Sequence, residues 1–258
     1  GAAYATIFAR FISGIFITFV LLSDKNQIQL KLKDFTFNLQ IIKEIYQVGI
    51  PAMLIRLLVS IMILGMNKIV ANYNTTAIAV VGVYFRLQSF VLMPVFGLNQ
   101  GYLPIVGYNY GHNNPDRMKK TIIIGGIIAF SFTFLGFLLF QFFSEELIKL
   151  FNQDPELIRI GSTALKRISL AYFVMGINIL GSATFQAIGK GLPSLLISLL
   201  RHILLLLPLM YLLGEFYSLS ALWLAFPITE GISFIILISW LISTLKDSFI
   251  NMKRKELS

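Results

Sequence analysis

The sequence predicts an all-α fold, a polytopic membrane helix bundle of about seven transmembrane helices, on three grounds. The first is composition: 57% of the 258 residues are hydrophobic, 13% are charged, and the mean hydropathy is +0.79. Charged residues are about half as frequent as in a soluble domain, and a soluble core has no room for so much apolar surface. The second is length. About 20 helical residues cross roughly 30 Å of hydrocarbon, and the chain has seven apolar runs of that order, at 1–22, 41–71, 76–106, 118–143, 158–189, 192–213 and 217–245. The third is the alternation of charge between the runs. One set of loops carries Lys25, Lys31, Lys33, Arg117, Lys119, Lys120, Lys190, Lys246, Lys253, Arg254 and Lys255, whereas the other carries Lys149 with Glu145, Glu146, Asp154, Glu156 and Glu215. Lys and Arg accumulate on the cytoplasmic side, which places the C-terminus inside and Gly1 on the outer side.

Taken in order, the first run, GAAYATIFARFISGIFITFVLL, has no initiator Met, basic n-region or small-residue cleavage site. It therefore reads as a helix entered partway and not as a signal peptide. Residues 23–44 are the longest polar interval and the expected boundary between lobes. There Leu32, Phe35, Phe37, Leu39, Ile41 and Ile42 alternate loosely with Lys31, Lys33, Asp34 and Lys43, a pattern that suits either a helix lying in the headgroup layer or a solvated linker. Residues 45–245 are expected to form a six-helix bundle and 246–258 a basic cytoplasmic tail. Two runs, 76–106 and 158–189, exceed a straight crossing, so they must tilt, kink or protrude. The first of them leads into MPVFGLNQGYLPIVGYNYG, residues 93–111, where Pro94, Gly97, Gly101 and Pro104 fall close together. These are expected to act as a helix-breaking hinge. Irregular backbone at membrane depth is tolerated only beside protein or a water-filled cavity, and interrupted helices mark substrate paths in secondary transporters.

The stretch GVYFRLQSFVLMPVFGLNQGYLPIVGYNYGHNNPDRMKK (82–120) resembles the second-lobe signature of the MATE multidrug and toxin extrusion transporters. VGIPAML (48–54) is similar to the opening of the seventh MATE helix, TFQAIGKGLPS (184–194) to the junction of the tenth and eleventh, and LWLAFPITEGIS (222–233) to the twelfth. The resemblance implies that 1–22 is the end of the sixth of twelve helices, and that a first lobe of the same protein is missing. It further implies two six-helix lobes around a central cavity in the bacterial cytoplasmic membrane. Organic cations or toxins would leave in exchange for H+ or Na+ by alternating access, with membrane lipid and a small-molecule drug as partners and no cofactor beyond the coupling ion. NorM-type members carry acidic residues in the seventh and tenth helices. Here 46–71 and 160–189 contain no Asp or Glu, and the corresponding positions fall near Val59 and Asn178. The chain therefore looks closer to the DinF-type or MepA-like branches, whose principal coupling carboxylate is expected in the other lobe.

Ionisable residues inside a span are costly and by default functional. Arg10, Arg56, Arg86 and Glu230 fall near mid-depth, whereas Lys68, Lys166, Arg167 and Arg201 lie nearer an end, where long side chains snorkel to the headgroups. Glu230 is the only carboxylate deep in a span, three residues after Pro227. Arg86 or Arg56 is its expected counter-ion, and its expected task is to take a proton or attract a cationic substrate. Together with Arg86, Gln100, Asn178, Met93 and Met175 it makes up the candidate substrate cavity. Phe85, Phe90, Phe96, Tyr172 and Phe173 are further candidate lining, because aromatic faces attract cations. The excess of arginines would instead suit an anionic substrate, which keeps a lipid-linked oligosaccharide flippase of the related superfamily as an alternative. A seven-helix receptor is a second one, although the last span lacks a Schiff-base lysine and the chain has no cysteine for an extracellular disulfide. An enzyme is not expected. No H-E-x-x-H or G-x-S-x-G motif occurs, His112 and His202 are far apart, and no metal site is foreseen. Nucleic acid is excluded as a partner because the cations sit between apolar spans and not on a soluble basic face.

Overall fold

The computed structural model describes residues 2–21 and 37–256, and among them it is helical without strands. Two compact units are present, Gly1–Ile45 and Tyr46–Ser258. In the first, α1 (Ala2–Leu21) is apolar apart from Arg10 and a few hydroxyl residues, and Thr18 folds its hydroxyl back onto the Gly14 carbonyl at 2.8 Å. The expected headgroup-layer helix falls largely outside the described residues. Of its apolar positions, Leu39, Ile41 and Ile42 belong to the opening of α2 (Leu39–Ala71), where the Asn38 side chain accepts from the Gln40 amide.

The second unit continues with α3 (Thr75–Gly111), α4 (Pro115–Phe142), α5 (Ser144–Lys149), α6 (Pro155–Ser169), α7 (Tyr172–Ala187), α8 (Gly191–Leu199), a π-helical segment (Leu200–Leu205), α9 (Leu206–Phe216), α10 (Leu219–Leu222) and α11 (Ala225–Glu256). The starts are capped as the sequence dictates. Asn74, Asn114 and Asp154 each accept from a backbone amide of the first turn, and Pro115 and Pro155 stand where a missing N–H costs nothing. Glu156 then ties α6 to the α2–α3 turn by accepting from the Asn74 side chain at 2.8 Å. In that turn Tyr73 covers Gly214. Burial first, then the charge of Glu215, raises its phenol above the ordinary value of 10.0.

One core joins Met62, Met66 and Val70 of α2 to Val80, Tyr84 and Leu87 of α3, Leu165 and Ile168 of α6, Met210 of α9 and Trp223. A second, toward the other end, gathers Val95, Tyr102 and Val106 of α3, Met118 and Ala129 of α4, and Leu180 and Ala183 of α7. Between lipid-solvated helices the attraction comes from close packing, so small residues decide which backbones approach. Gly176 does this for α7. A Cβ there would lie 2.7 Å from the Ala129 carbonyl oxygen of α4.

Among the described residues six helical stretches are long and apolar enough to cross a membrane, and seven if α6 and α7 are counted as one span. The expectation of breaks near Pro94, Gly97, Gly101 and Pro104 is corrected: α3 runs unbroken through all four. Each proline removes one amide, ten residues apart. The buried side chains of Val95, Tyr102 and Val106, packed along the same stretch, hold the helix in register. The breaks lie elsewhere. α6 and α7 meet at a 55° bend around Leu170 and Ala171, where Gln141 of α4 donates to the Lys166 carbonyl at 2.7 Å and to the Ser169 hydroxyl at 3.0 Å. The Ser169 hydroxyl donates to the same carbonyl at 3.0 Å, so the backbone at the bend is satisfied within protein, as hydrocarbon requires. The second irregularity is the π turn, which closes with the Leu206 amide on the Arg201 carbonyl just before Pro208. Its wider bore makes room for the proline ring and re-satisfies the backbone. Finally, α11 continues through Glu256, so residues 246–256 of the expected tail are helical.

Candidate functional site: a buried carboxylate cluster

Glu230 lies in the second turn of α11, after Pro227, whose missing amide falls in the helix's first turn and so leaves no intrahelical bond unmade. It is buried, with 10% of its side chain accessible. Two donors converge on Oε2: the Asn178 amide of α7 at 2.6 Å and the Arg201 guanidinium of the π segment at 3.4 Å. The same Asn178 nitrogen also reaches the Glu230 carbonyl at 3.1 Å, which fixes α7 to α11. Among the described residues no donor reaches Oε1.

The surroundings are polar beyond these contacts. Among the described residues, Asn178 Oδ1, Arg201 Nε, Thr229 Oγ1 and Ser233 Oγ are buried without a hydrogen-bond partner. Native interiors leave few such groups. Thr229 and Ser233 flank Glu230 on α11, and Gln88 of α3 reaches toward Met175 Sδ at 3.9 Å on the α7 side. The arrangement offers one carboxylate, its tethered cation and several uncommitted oxygens. Among the described residues no group of three or more His, Asp or Glu could hold a metal ion.

Set against the sequence, Glu230 and Asn178 are brought together. The expected counter-ion is corrected: Arg201 pairs with Glu230, whereas Arg86 and Arg56 are exposed and make no ion pair among the described residues. The reason is the π turn, which holds Arg201 inside the bundle, where its side chain is only 16% accessible, in place of snorkelling to a headgroup. Met175 is buried in the core, close to the cluster, and Tyr172 is wholly buried. Arg86, Met93 and Gln100 lie apart from it on an exposed face of α3, which also presents Pro94, Gly97, Gly101 and Pro104. Phe90, Phe96 and Phe173 are exposed and Phe85 is half-buried, so the aromatic residues do not converge on one pocket. Arg201, Thr229 and Ser233 were missed. The i+3 spacing of Ser233 from Glu230, which puts both on one helix face, was the available signal for one of them.

Comparison with known proteins gives this geometry its context. The chain is 25% identical over 233 residues to "Multidrug export protein MepA" of Staphylococcus aureus (strain bovine RF122 / ET3-1) and 27% identical over 236 residues to the protein of the same name from Staphylococcus haemolyticus (strain JCSC1435). Each match covers 90% of this chain and 51% of the relative, so the chain spans about half the length of these curated relatives. Among solved structures, "Crystal structure of MATE in complex with MaL6" superposes with a TM-score of 0.90 at 22% identity, over 96% of this chain and 57% of that one. A MOP superfamily transporter from Pyrococcus furiosus gives the same score and identity over 96% and 56%, and "Crystal structure of MATE in the bent conformation" gives 0.91 at 22% identity over 98% and 57%. These structures establish the shared helical fold. The family model described as MatE matches residues 51–212, from Pro51 of α2 to Leu212 of α9, and so takes in most of the bundle and both Asn178 and Arg201: the chain belongs to the MatE family.

Proposed function

We propose that this chain forms the second half of a two-lobe exporter that moves organic cations or toxins out of the cell by alternating access, and that Glu230 is the proton-responsive group of this half. The observation that carries the reading is the buried carboxylate held by one amide and one guanidinium, with Oε1 left free of donors. The names of the staphylococcal relatives support the substrate class. A proton on Glu230 removes its charge, ends the ion pair with Arg201 and weakens the Asn178 bond. Three elements, α7, the π segment and α11, lose their common tie in that event, which gives protonation a structural consequence. Na+ fits this cluster less well, because the single carboxylate already has a guanidinium at 3.4 Å and a second cation would meet like charge.

The test is Glu230→Gln in the complete protein, assayed by efflux of an organic cation such as ethidium from energised cells. Efflux is expected to fall about tenfold, the equivalent of ~1.4 kcal/mol, with membrane insertion unchanged. Wild-type efflux in that variant would remove Glu230 from the mechanism. One observation favours a second reading, transport of an anionic lipid-linked sugar phosphate: Arg86 stands exposed on α3 without an ion pair among the described residues. Loss of sugar-phosphate translocation in Arg86→Gln, with cation efflux absent from the wild type, would select that reading.

A further inference from the structure

A cavity of about 290 Å³ lies at the end of the bundle, shares no lining residue with the Glu230 cluster, and is not used in the proposed transport cycle. Three segments meet there. The last turn of α3 contributes Tyr110 and the α3–α4 turn Asn113, in the left-handed region at φ 52°, a conformation that Asn tolerates. The α7–α8 turn contributes Lys190, directly after Gly189 at φ 76°, where a side chain would be strained. The last turns of α11 contribute Asp247, Ser248 and Met252.

The charges decide the ligand. Lys190 and Asp247 line the same cavity but form no ion pair with each other. Both are exposed at its rim, and a cation and an anion bordering one cavity complement a ligand that carries both signs at a short separation. Ser248 is buried and donates its proton to the Thr244 carbonyl at 2.8 Å, so its oxygen is left as an acceptor beside Asp247. Tyr110 and Asn113 supply neutral donors on the side of the two turns. The volume sits at the lower end of the range for small-molecule sites, roughly 300–1,000 Å³. That is enough for a phosphate and an amine on a short linker but not for a drug-sized molecule. The same end of the chain carries Arg117, Lys119, Lys120 and Lys246, the end that faces the cytoplasmic leaflet by the distribution of basic residues. A purely basic pocket there would take an anionic headgroup, whereas Asp247 opposes one and favours an ammonium.

We propose that this cavity binds a phosphoethanolamine group, with the phosphate at Lys190 and the ammonium at Asp247 and Ser248. The group comes either from phosphatidylethanolamine of the surrounding leaflet or from a soluble phosphoethanolamine. The experiment is native mass spectrometry of the complete, delipidated protein in detergent, titrated with phosphatidylethanolamine and with phosphatidylglycerol. The ethanolamine lipid is expected to be retained about threefold to fivefold more strongly, as for one partly exposed ion pair. Asp247→Asn should abolish that preference, and Lys190→Gln should weaken both lipids. Lys119→Gln, at the same end but off the cavity, should change neither. Displacement of the lipid by soluble phosphoethanolamine identifies the free headgroup as sufficient, and retention against it identifies the lipid as the source. Equal retention of the two lipids by the wild type, a preference that survives Asp247→Asn, or a loss in Lys119→Gln as large as in Lys190→Gln would overturn the site.

Discussion

Glu230 and Arg201 face each other inside the bundle, with 10% and 16% of their side chains accessible. Removing one partner of a buried pair leaves the other uncompensated, at a cost of about 3–5 kcal/mol. Arg201→Met is therefore expected to destabilise the complete protein by that order in thermal unfolding in detergent. The double variant Arg201→Met, Glu230→Gln should regain most of the loss, because both charges are then gone and Asn178 keeps a neutral oxygen to donate to. A double variant as unstable as Arg201→Met would show that the two residues act independently. Glu230 was legible in the sequence because a lone carboxylate deep in an apolar run has few innocent explanations. Its partner was not. Counting depth along an ideal helix at ~1.5 Å per residue places Arg201 near an end, and that count is blind to a π turn, which changes both the rise and the direction of the side chains after it.

Helices, unlike their partners, were largely readable, because the length of an apolar run is set by the thickness of the bilayer and does not depend on what packs against it. Irregularities were readable only in part. Pro94 and Pro104 drew attention to α3, which is continuous, while the 55° bend between α6 and α7 falls in ISLAYF, residues 168–173, with neither proline nor glycine. The bend is maintained from outside the segment, by Gln141 of α4, 25 residues before the carbonyl it satisfies. No local pattern encodes such a contact. Gln141→Leu removes the link from α4 but leaves the Ser169 hydroxyl on the Lys166 carbonyl, and is expected to cost about 0.5–1.5 kcal/mol, the net worth of one hydrogen bond, read as a lowered thermal midpoint. A second variant separates this from packing: Gln141→Glu keeps the size but removes the donor, and should be at least as unstable. The neighbouring contact of α4 with α7 has its own test. Gly176→Val places a side chain against the Ala129 carbonyl, which a Cβ would already approach to 2.7 Å, and overpacking of this kind costs about 1–3 kcal/mol. An unchanged midpoint in Gly176→Val would mean that the two helices separate readily and that their closeness is not required.

At the scale of the whole molecule, α3 presents two faces with different neighbours. One is packed, with Val95 and Val106 wholly buried, and the other exposes Arg86, Met93, Gly97, Gln100 and Gly101 on the surface of the bundle. The chain spans about half the length of its curated relatives, so what covers the exposed face in the complete protein is either lipid or the boundary of an aqueous cavity. Chemistry distinguishes the two, since a polar amide and a guanidinium are expensive against acyl chains and cheap against water. These 258 residues contain no cysteine, so an introduced thiol is the only one among them. A Cβ at Gly97 or Gly101 meets nothing within 4 Å, so both positions accept the change. Gly97→Cys, Gln100→Cys and Gly101→Cys in the complete protein are expected to react with a membrane-impermeant, water-soluble thiol reagent, and Val95→Cys and Val106→Cys to remain protected. An added organic cation should slow the reaction at the first three positions if they border its path. Reaction at none of the three would assign this face to lipid and leave the buried Glu230 cluster without a substrate route along α3.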